Sequence, residues 1–240
     1  MTIDPEMTLG RLVAEHPQCA RLLEELHLDF CCGGEQTLAA AASARGLDGA
    51  TVALACEAFA RIPQGADQEG ERDWLSAGIP ELCDHIVECH HERVRTERPR
   101  IEELLATVVR VHGAKQPELA LLQDTFRSMA AGLERHMARE EQQLFPACRG
   151  AAAGAGVEEQ LLALHVGEHE QVGAQLGELR ALGGGYNREG ALCSTHRSLL
   201  GALERFEADL HRHIHEENNI LFPRVRALGA AGAAAQAPRA

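Results

Sequence analysis

His213-Ile214-His215-Glu216-Glu217-Asn218-Asn219-Ile220-Leu221-Phe222-Pro223 repeats, in stronger form, an earlier stretch, His136-Met137-Ala138-Arg139-Glu140-Glu141-Gln142-Gln143-Leu144-Phe145-Pro146. Aligned without a gap, both place His ten residues before Pro, Glu six before it, and Leu-Phe directly in front. On a helix turning about 100° per residue, a His and a Glu four apart share one face, one turn from each other. A single pair of this kind is ordinarily a solvated contact of about 0.2–0.5 kcal/mol. Solvated pairing gives no reason for a copy in register beside the same Leu-Phe-Pro, so the repeat points to chemistry.

Composition sets the frame. Of 240 residues, 45% are hydrophobic but only 3% aromatic, and the abundance of Ala, Leu, Glu and Arg favours helix nearly throughout. An all-α protein is expected. The formal net charge of -13, with no basic stripe, argues against nucleic acid as a partner. No run of about eighteen apolar residues and no basic-then-apolar N-terminus is present, so a cytoplasmic protein without a membrane partner is expected. Eight cysteines without repeated spacing read as reduced thiols rather than a disulfide framework. Thirteen histidines, many at helical spacings, suggest a metal.

Residues 1–62 read as a small helical domain, with Thr8 capping a first helix, Pro17 opening a second that runs to about His27, and Asp48 capping a third. Its Asp29-Phe30-Cys31-Cys32-Gly33-Gly34 stretch should turn tightly at the glycines and leave the thiols near a surface. Residues 63–77 read as a linker. Residues 78–228 hold four long amphipathic segments, about 80–111 with a kink at Pro99, 117–148, 157–182 and 189–228, which predict an up-down-up-down four-helix bundle. Residues 229–240, mostly Ala and Gly, read as a flexible tail.

In that topology the second and fourth helices lie diagonally and can aim both His/Glu faces at the bundle axis. The duplication selects partners from the other two helices. His91 precedes His136 by 45 residues and His169 precedes His213 by 44, whereas His165 and His112 fit no matching interval. Spacing alone leaves His90 open beside His91. The set is His91, His136, Glu140, His169, His213 and Glu217. Six inward donors exceed what one tetrahedral zinc takes and offer too few oxygens for calcium. Two first-row ions bridged by the carboxylates use all six and leave room for an oxo or hydroxo bridge and a small ligand. Imidazole with carboxylate fits iron best among abundant redox metals. Glu168 and Glu141, each beside a ligand, could relay protons or simply be solvated.

At these residues the chain resembles the Ric family, di-iron proteins for repair of iron centres. Asp29-Phe30-Cys31-Cys32-Gly33-Gly34 matches the family's N-terminal motif. Asp84-His85-Ile86 through His91, His136 with Glu140, Glu168-His169, and His213 with Glu217-Asn218-Asn219 match its hemerythrin-like bundle. The family often has Tyr before the helix-one ligand, where this chain has His90. The resemblance implies a hemerythrin-like fold, a non-haem centre of two iron ions, His91 as the ligand rather than His90, and repair of iron–sulfur clusters damaged by nitric oxide or oxidants. Its partners would be damaged iron–sulfur proteins, with nitric oxide or dioxygen as small ligand. Nitric oxide buffering, sensing or reduction at the same centre remain as alternatives to iron supply. For Cys31 and Cys32, a well-packed turn stands against thiols that accept iron, bind a client or exchange disulfides; adjacent cysteines are expected to chelate one metal poorly.

Overall fold

The computed structural model describes residues 2–61 and 73–236. Helix dominates, and among the described residues the only β-pairing is an isolated bridge between Thr8 and Thr37. Most of the linker expected at 63–77 lies outside the described residues. No described helix is long and apolar enough to cross a membrane.

Four short helices come first: α1 (Leu9–Glu15), α2 (Cys19–Glu25), α3 (Leu38–Ala44) and α4 (Gly49–Ala60). Their starts follow local capping chemistry. Thr8 accepts the Arg11 N–H, Thr37 Oγ1 accepts the Ala40 N–H at 3.2 Å, and Asp48 Oδ2 accepts the Thr51 N–H at 2.9 Å. α3 is not among the expected helices; its signal in the sequence is the Thr37 cap before an alanine-rich run.

Long helices follow, three of them interrupted by a π-helical turn. The first comprises α5 (Ile79–His85), a wide turn at Ile86–His91 and α6 (Glu92–His112), which continues through Pro99. The second comprises α7 (Glu118–Arg139), a wide turn at Glu140–Leu144 and α8 (Phe145–Ala152). The third, α9 (Glu159–Leu182), has none. The fourth comprises α10 (Ser194–His215), a wide turn at Glu216–Leu221 and α11 (Phe222–Gln236). It begins later than the expected residue 189 because Asn187 Oδ1 captures the Glu189 N–H at 3.0 Å, making a turn there instead. Its backbone stays helical to Gln236, into the stretch expected to be a flexible tail.

The Leu-Phe-Pro copies explain two of the wide turns. A proline in a helix lacks the N–H for its i−4 carbonyl and its ring crowds that carbonyl. Ahead of Pro146 the Phe145 N–H bonds the Glu140 carbonyl, and ahead of Pro223 the Phe222 N–H bonds the Glu217 carbonyl, each five residues back. The extra residue per turn relieves the clash. It also places each wide turn on the carboxylate that the repeat singled out.

The chain divides into two compact units. Residues 83–150 and 157–210 form the second, a helix bundle whose seam runs at heptad spacing: Leu119, Leu122, Phe126, Met129 and Leu133 on α7, and Leu199, Leu203, Phe206 and Leu210 on α10, all buried. Phe126 and Phe206 meet edge to face with centroids 5.6 Å apart.

Residues 1–82, 151–156 and 211–240 form the first unit, in which the C-terminal wide turn packs with the N-terminal helices. Asn219 is the peg. Its Nδ2 donates to the carbonyls of Phe30 and Cys31, both at 3.1 Å, and Asn218 Nδ2 reaches the Cys31 carbonyl at 3.3 Å. The glycines of the double-cysteine motif serve this fit rather than a left-handed turn, since neither has a positive φ. A Cβ on Gly34 would stand 2.1 Å from Asn219 Oδ1, and one on Gly33 would stand 2.8 Å from the Asp29 carbonyl oxygen. We expect Gly34→Ala to cost about 2 kcal/mol, as overpacking does, measured as a lowered thermal midpoint. Because Asn219 is pinned, that cost should shrink in an Asn219→Ala background; an equal cost in both backgrounds would show that the two residues do not oppose each other.

Candidate metal centre

Within the second unit the apolar seam of α7 continues, still at heptad spacing, into His136 and Glu140. His91, at the end of the first wide turn, and His165 and His169 on α9 are also fully buried. Glu140 is the focus: its carboxylate is wholly buried and neither oxygen has a hydrogen-bond partner. Imidazole nitrogens face it on three sides: His136 Nε2 at 2.8 Å, His91 Nε2 at 3.3 Å and His169 Nε2 at 3.7 Å. Burial alone would raise this carboxyl, but the His136, His169 and His91 imidazoles outweigh it and hold it well below the usual range. His136 Nε2 and His169 Nε2 stand 3.1 Å apart. A buried carboxylate ringed by inward imidazole nitrogens fits the donor chemistry of a metal ion.

The far nitrogens of two of these rings are tied down. His91 Nδ1 meets Glu141 Oε1 and His136 Nδ1 meets Glu168 Oε2, both at 2.7 Å, with Arg95 on Glu141 and Arg139 on Glu168. Partial burial works to raise both carboxyls, and the imidazole and guanidinium contacts overcome it, so both lie below their ordinary range. Each carboxylate thereby orients its ring with Nε2 toward Glu140 and favours the tautomer in which a metal ion could take the Nε2 lone pair. The sequence reading weighed Glu168 and Glu141 as proton relays or solvated neighbours; their place is behind the histidines. We expect Glu168→Gln to weaken metal binding about tenfold to a hundredfold, measured by competition with a chelator, with the fold unchanged; unchanged affinity would contradict the assignment.

His90 turns elsewhere, its Nδ1 lying 3.2 Å from Asp209, which also pairs with Arg93. His91, not His90, faces Glu140. His112 lies at the end of α6, 3.3 Å from the Cys193 sulfur. His165, which the interval argument passed over, is fully buried: its Nδ1 bonds the Leu161 carbonyl at 2.8 Å and its ring lies 5.4 Å from that of His136. The signal that could have found it is seam spacing, since Leu162, His165, His169 and Val172 follow one heptad stripe.

Within the first unit, α10 ends at His213 and His215, and Glu217 lies in the wide turn. Glu217 is wholly buried and its Oε1 is 3.4 Å from His213 Nε2. Burial pushes His215 down to about 4, so it is neutral; its Nδ1 is 3.2 Å from Asn219 and its ring meets Phe30 edge to face. Cys31 is buried, against the expectation that both thiols lie near a surface, and Cys32 is half-buried. None of the eight cysteines forms a disulfide.

A helical seam that ends in buried histidines around a buried glutamate, with two of the rings held from behind by further carboxylates, defines a histidine–carboxylate cation-binding bundle. Residues 82–225 match the model of the hemerythrin HHE cation-binding domain, and residues 5–59 match a domain of unknown function, DUF542. Relatives named iron-sulfur cluster repair protein YtfE span almost the whole chain. The one from Dickeya chrysanthemi is 33% identical over 91% of this chain and 96% of its own. The one from Musicola paradisiaca is 34% identical with the same coverage, and the one from Yersinia pseudotuberculosis is 33% identical over 90% and 95%. The chain belongs to the Ric family of hemerythrin-type proteins.

Proposed function

We propose that this protein is a non-haem di-iron protein that repairs iron–sulfur clusters damaged by nitric oxide or oxidants, by supplying iron. The observation that carries the reading is Glu140, buried without hydrogen bonds among three imidazoles. In this reading Glu140 and Glu217 are the shared carboxylates, and His91, His136, His169 and His213 supply the nitrogens. The support is the copied register: His213 with Glu217 repeats His136 with Glu140, each Glu opening onto a proline-induced wide turn. Bound iron would supply one-electron exchange and an open position for nitric oxide or dioxygen. The residues themselves orient two of the imidazoles, His91 through Glu141 and His136 through Glu168, and keep the carboxylates from water. Without a thiolate in this donor set, ferrous iron is held by ligands that can release it. The name of the relatives, iron-sulfur cluster repair protein, supports cluster repair here, and the targets would be damaged iron–sulfur proteins.

The test is reactivation. Reduced, iron-loaded protein is added to a hydratase whose [4Fe–4S] cluster has been destroyed by nitric oxide. Recovery of hydratase activity, with iron passing from the protein to the enzyme and none of it with Glu140→Gln, is the expected result. Uptake of nitric oxide with no reactivation would favour a buffering protein and overturn the proposal.

A further inference from the structure

We propose that Asp29, Cys31 and Cys32 form a second metal site, for a divalent ion of the zinc and ferrous class, separate from the histidine–glutamate centre. Adjacency in sequence argues against two cysteines gripping one ion, but the loop geometry removes the objection. The two sulfurs lie 3.8 Å apart. Two thiolates bound to one such ion at about 2.3 Å and at the tetrahedral angle stand about 3.8 Å apart, so the sulfurs already occupy one edge of the coordination tetrahedron. Asp29 Oδ1 lies 3.3 Å from Cys31 Sγ, and one ligand atom from each of the three residues falls within 4.8 Å of the others.

The arrangement is built into the backbone. Asp29 Oδ1 accepts the N–H of Cys31 at 3.1 Å and of Cys32 at 2.9 Å, which folds both cysteines back over the carboxylate. Asn218 and Asn219 fix the Cys31 carbonyl, and Gly33 leaves room beside Asp29. Cys31 is buried while Cys32 is half-buried and Asp29 exposed, so an ion would be gripped from within and reached from one open side. Three donors with an open fourth position make a site that exchanges its ion. Contact with Cys32, burial and the nearby Asp29 charge push the Cys31 thiol well up, as expected where anionic ligands converge without a cation. Binding balances as one divalent ion taken up for two thiol protons released.

The site uses none of the donors of the histidine–glutamate centre, so it stands or falls independently of the di-iron reading. The test is titration of the full-length, fully reduced and iron-loaded protein with cobalt(II), read by the thiolate-to-cobalt charge-transfer absorption that imidazole and carboxylate ligands do not give. The expected result is that absorption saturating at one cobalt per chain, with about two protons released per ion and zinc displacing the cobalt. Cys32→Ser should weaken binding at least about a hundredfold, more than loss of a supporting residue does; Asp29→Asn should weaken it less. Both positions reach solvent, so these variants keep the test valid if Cys31→Ser misfolds, with thermal melts checking each fold. No charge-transfer absorption, or one that persists unchanged in Cys32→Ser and Asp29→Asn, overturns the proposal.

Discussion

Glu140→Gln yields a folded protein that is purified without its metal. The substitution keeps the volume of a wholly buried side chain and removes only its charge, so packing around Leu144 and Phe145 is preserved. It takes the anion from the one point that His91, His136 and His169 all face. In the proposed reading a divalent ion there would keep one carboxylate, that of Glu217, and lose the other in a site closed to water. The loss is about 4 kcal/mol or more, a factor of about a thousand in affinity. Metal analysis after purification should find almost no bound iron, while circular dichroism shows full helix content. Full metal content in Glu140→Gln would remove Glu140 from the ligand set.

Iron removal has the other large effect. In the proposed reading, chelation of the wild type takes the cations from beside the wholly buried carboxylates of Glu140 and Glu217. An ion that binds only the folded state stabilises it by about 4 kcal/mol when present at a thousand times its dissociation constant, so the two ions of the proposed centre would contribute roughly 8. At about 2–4 °C per kcal/mol for a chain of this size, the thermal midpoint should fall by roughly 15–30 °C on chelation and return on adding ferrous iron. Calorimetry before and after chelation measures this. A midpoint that does not move would mean that the cluster is not a folding-coupled metal site.

The sequence discloses the helices and the focus of the site for a definite physical reason. Apolar residues at heptad spacing need little tertiary context to specify a bundle, and His136 and Glu140 fall on the stripe begun by Leu119. The duplicated His and Glu beside Leu-Phe-Pro then mark where that stripe turns from apolar packing to buried imidazole and carboxylate groups. What stayed hidden depends on contacts far apart in sequence. The wide turns needed the conflict between Pro146 or Pro223 and the carbonyls before them to be traced to its outcome. The motif glycines suggested a tight turn, but what requires Gly34 is Asn219, nearly two hundred residues away, whose side chain occupies the space of a Cβ. Glu168 and Glu141 sit beside ligands in sequence, and only the bundle shows them bonding the far nitrogens of rings on other helices. His165 lies off the interval between the repeats but on the buried stripe of its own helix, so only the periodicity of α9 marks it.

X-ray absorption at the iron edge of the purified protein, together with its metal content, addresses the central claim most directly. The account predicts two iron ions per chain, a first shell of nitrogen and oxygen from imidazole and carboxylate, and an iron–iron scattering path within about 4 Å, as in other paired-metal sites. One ion per chain, or two without an iron–iron path, would contradict it.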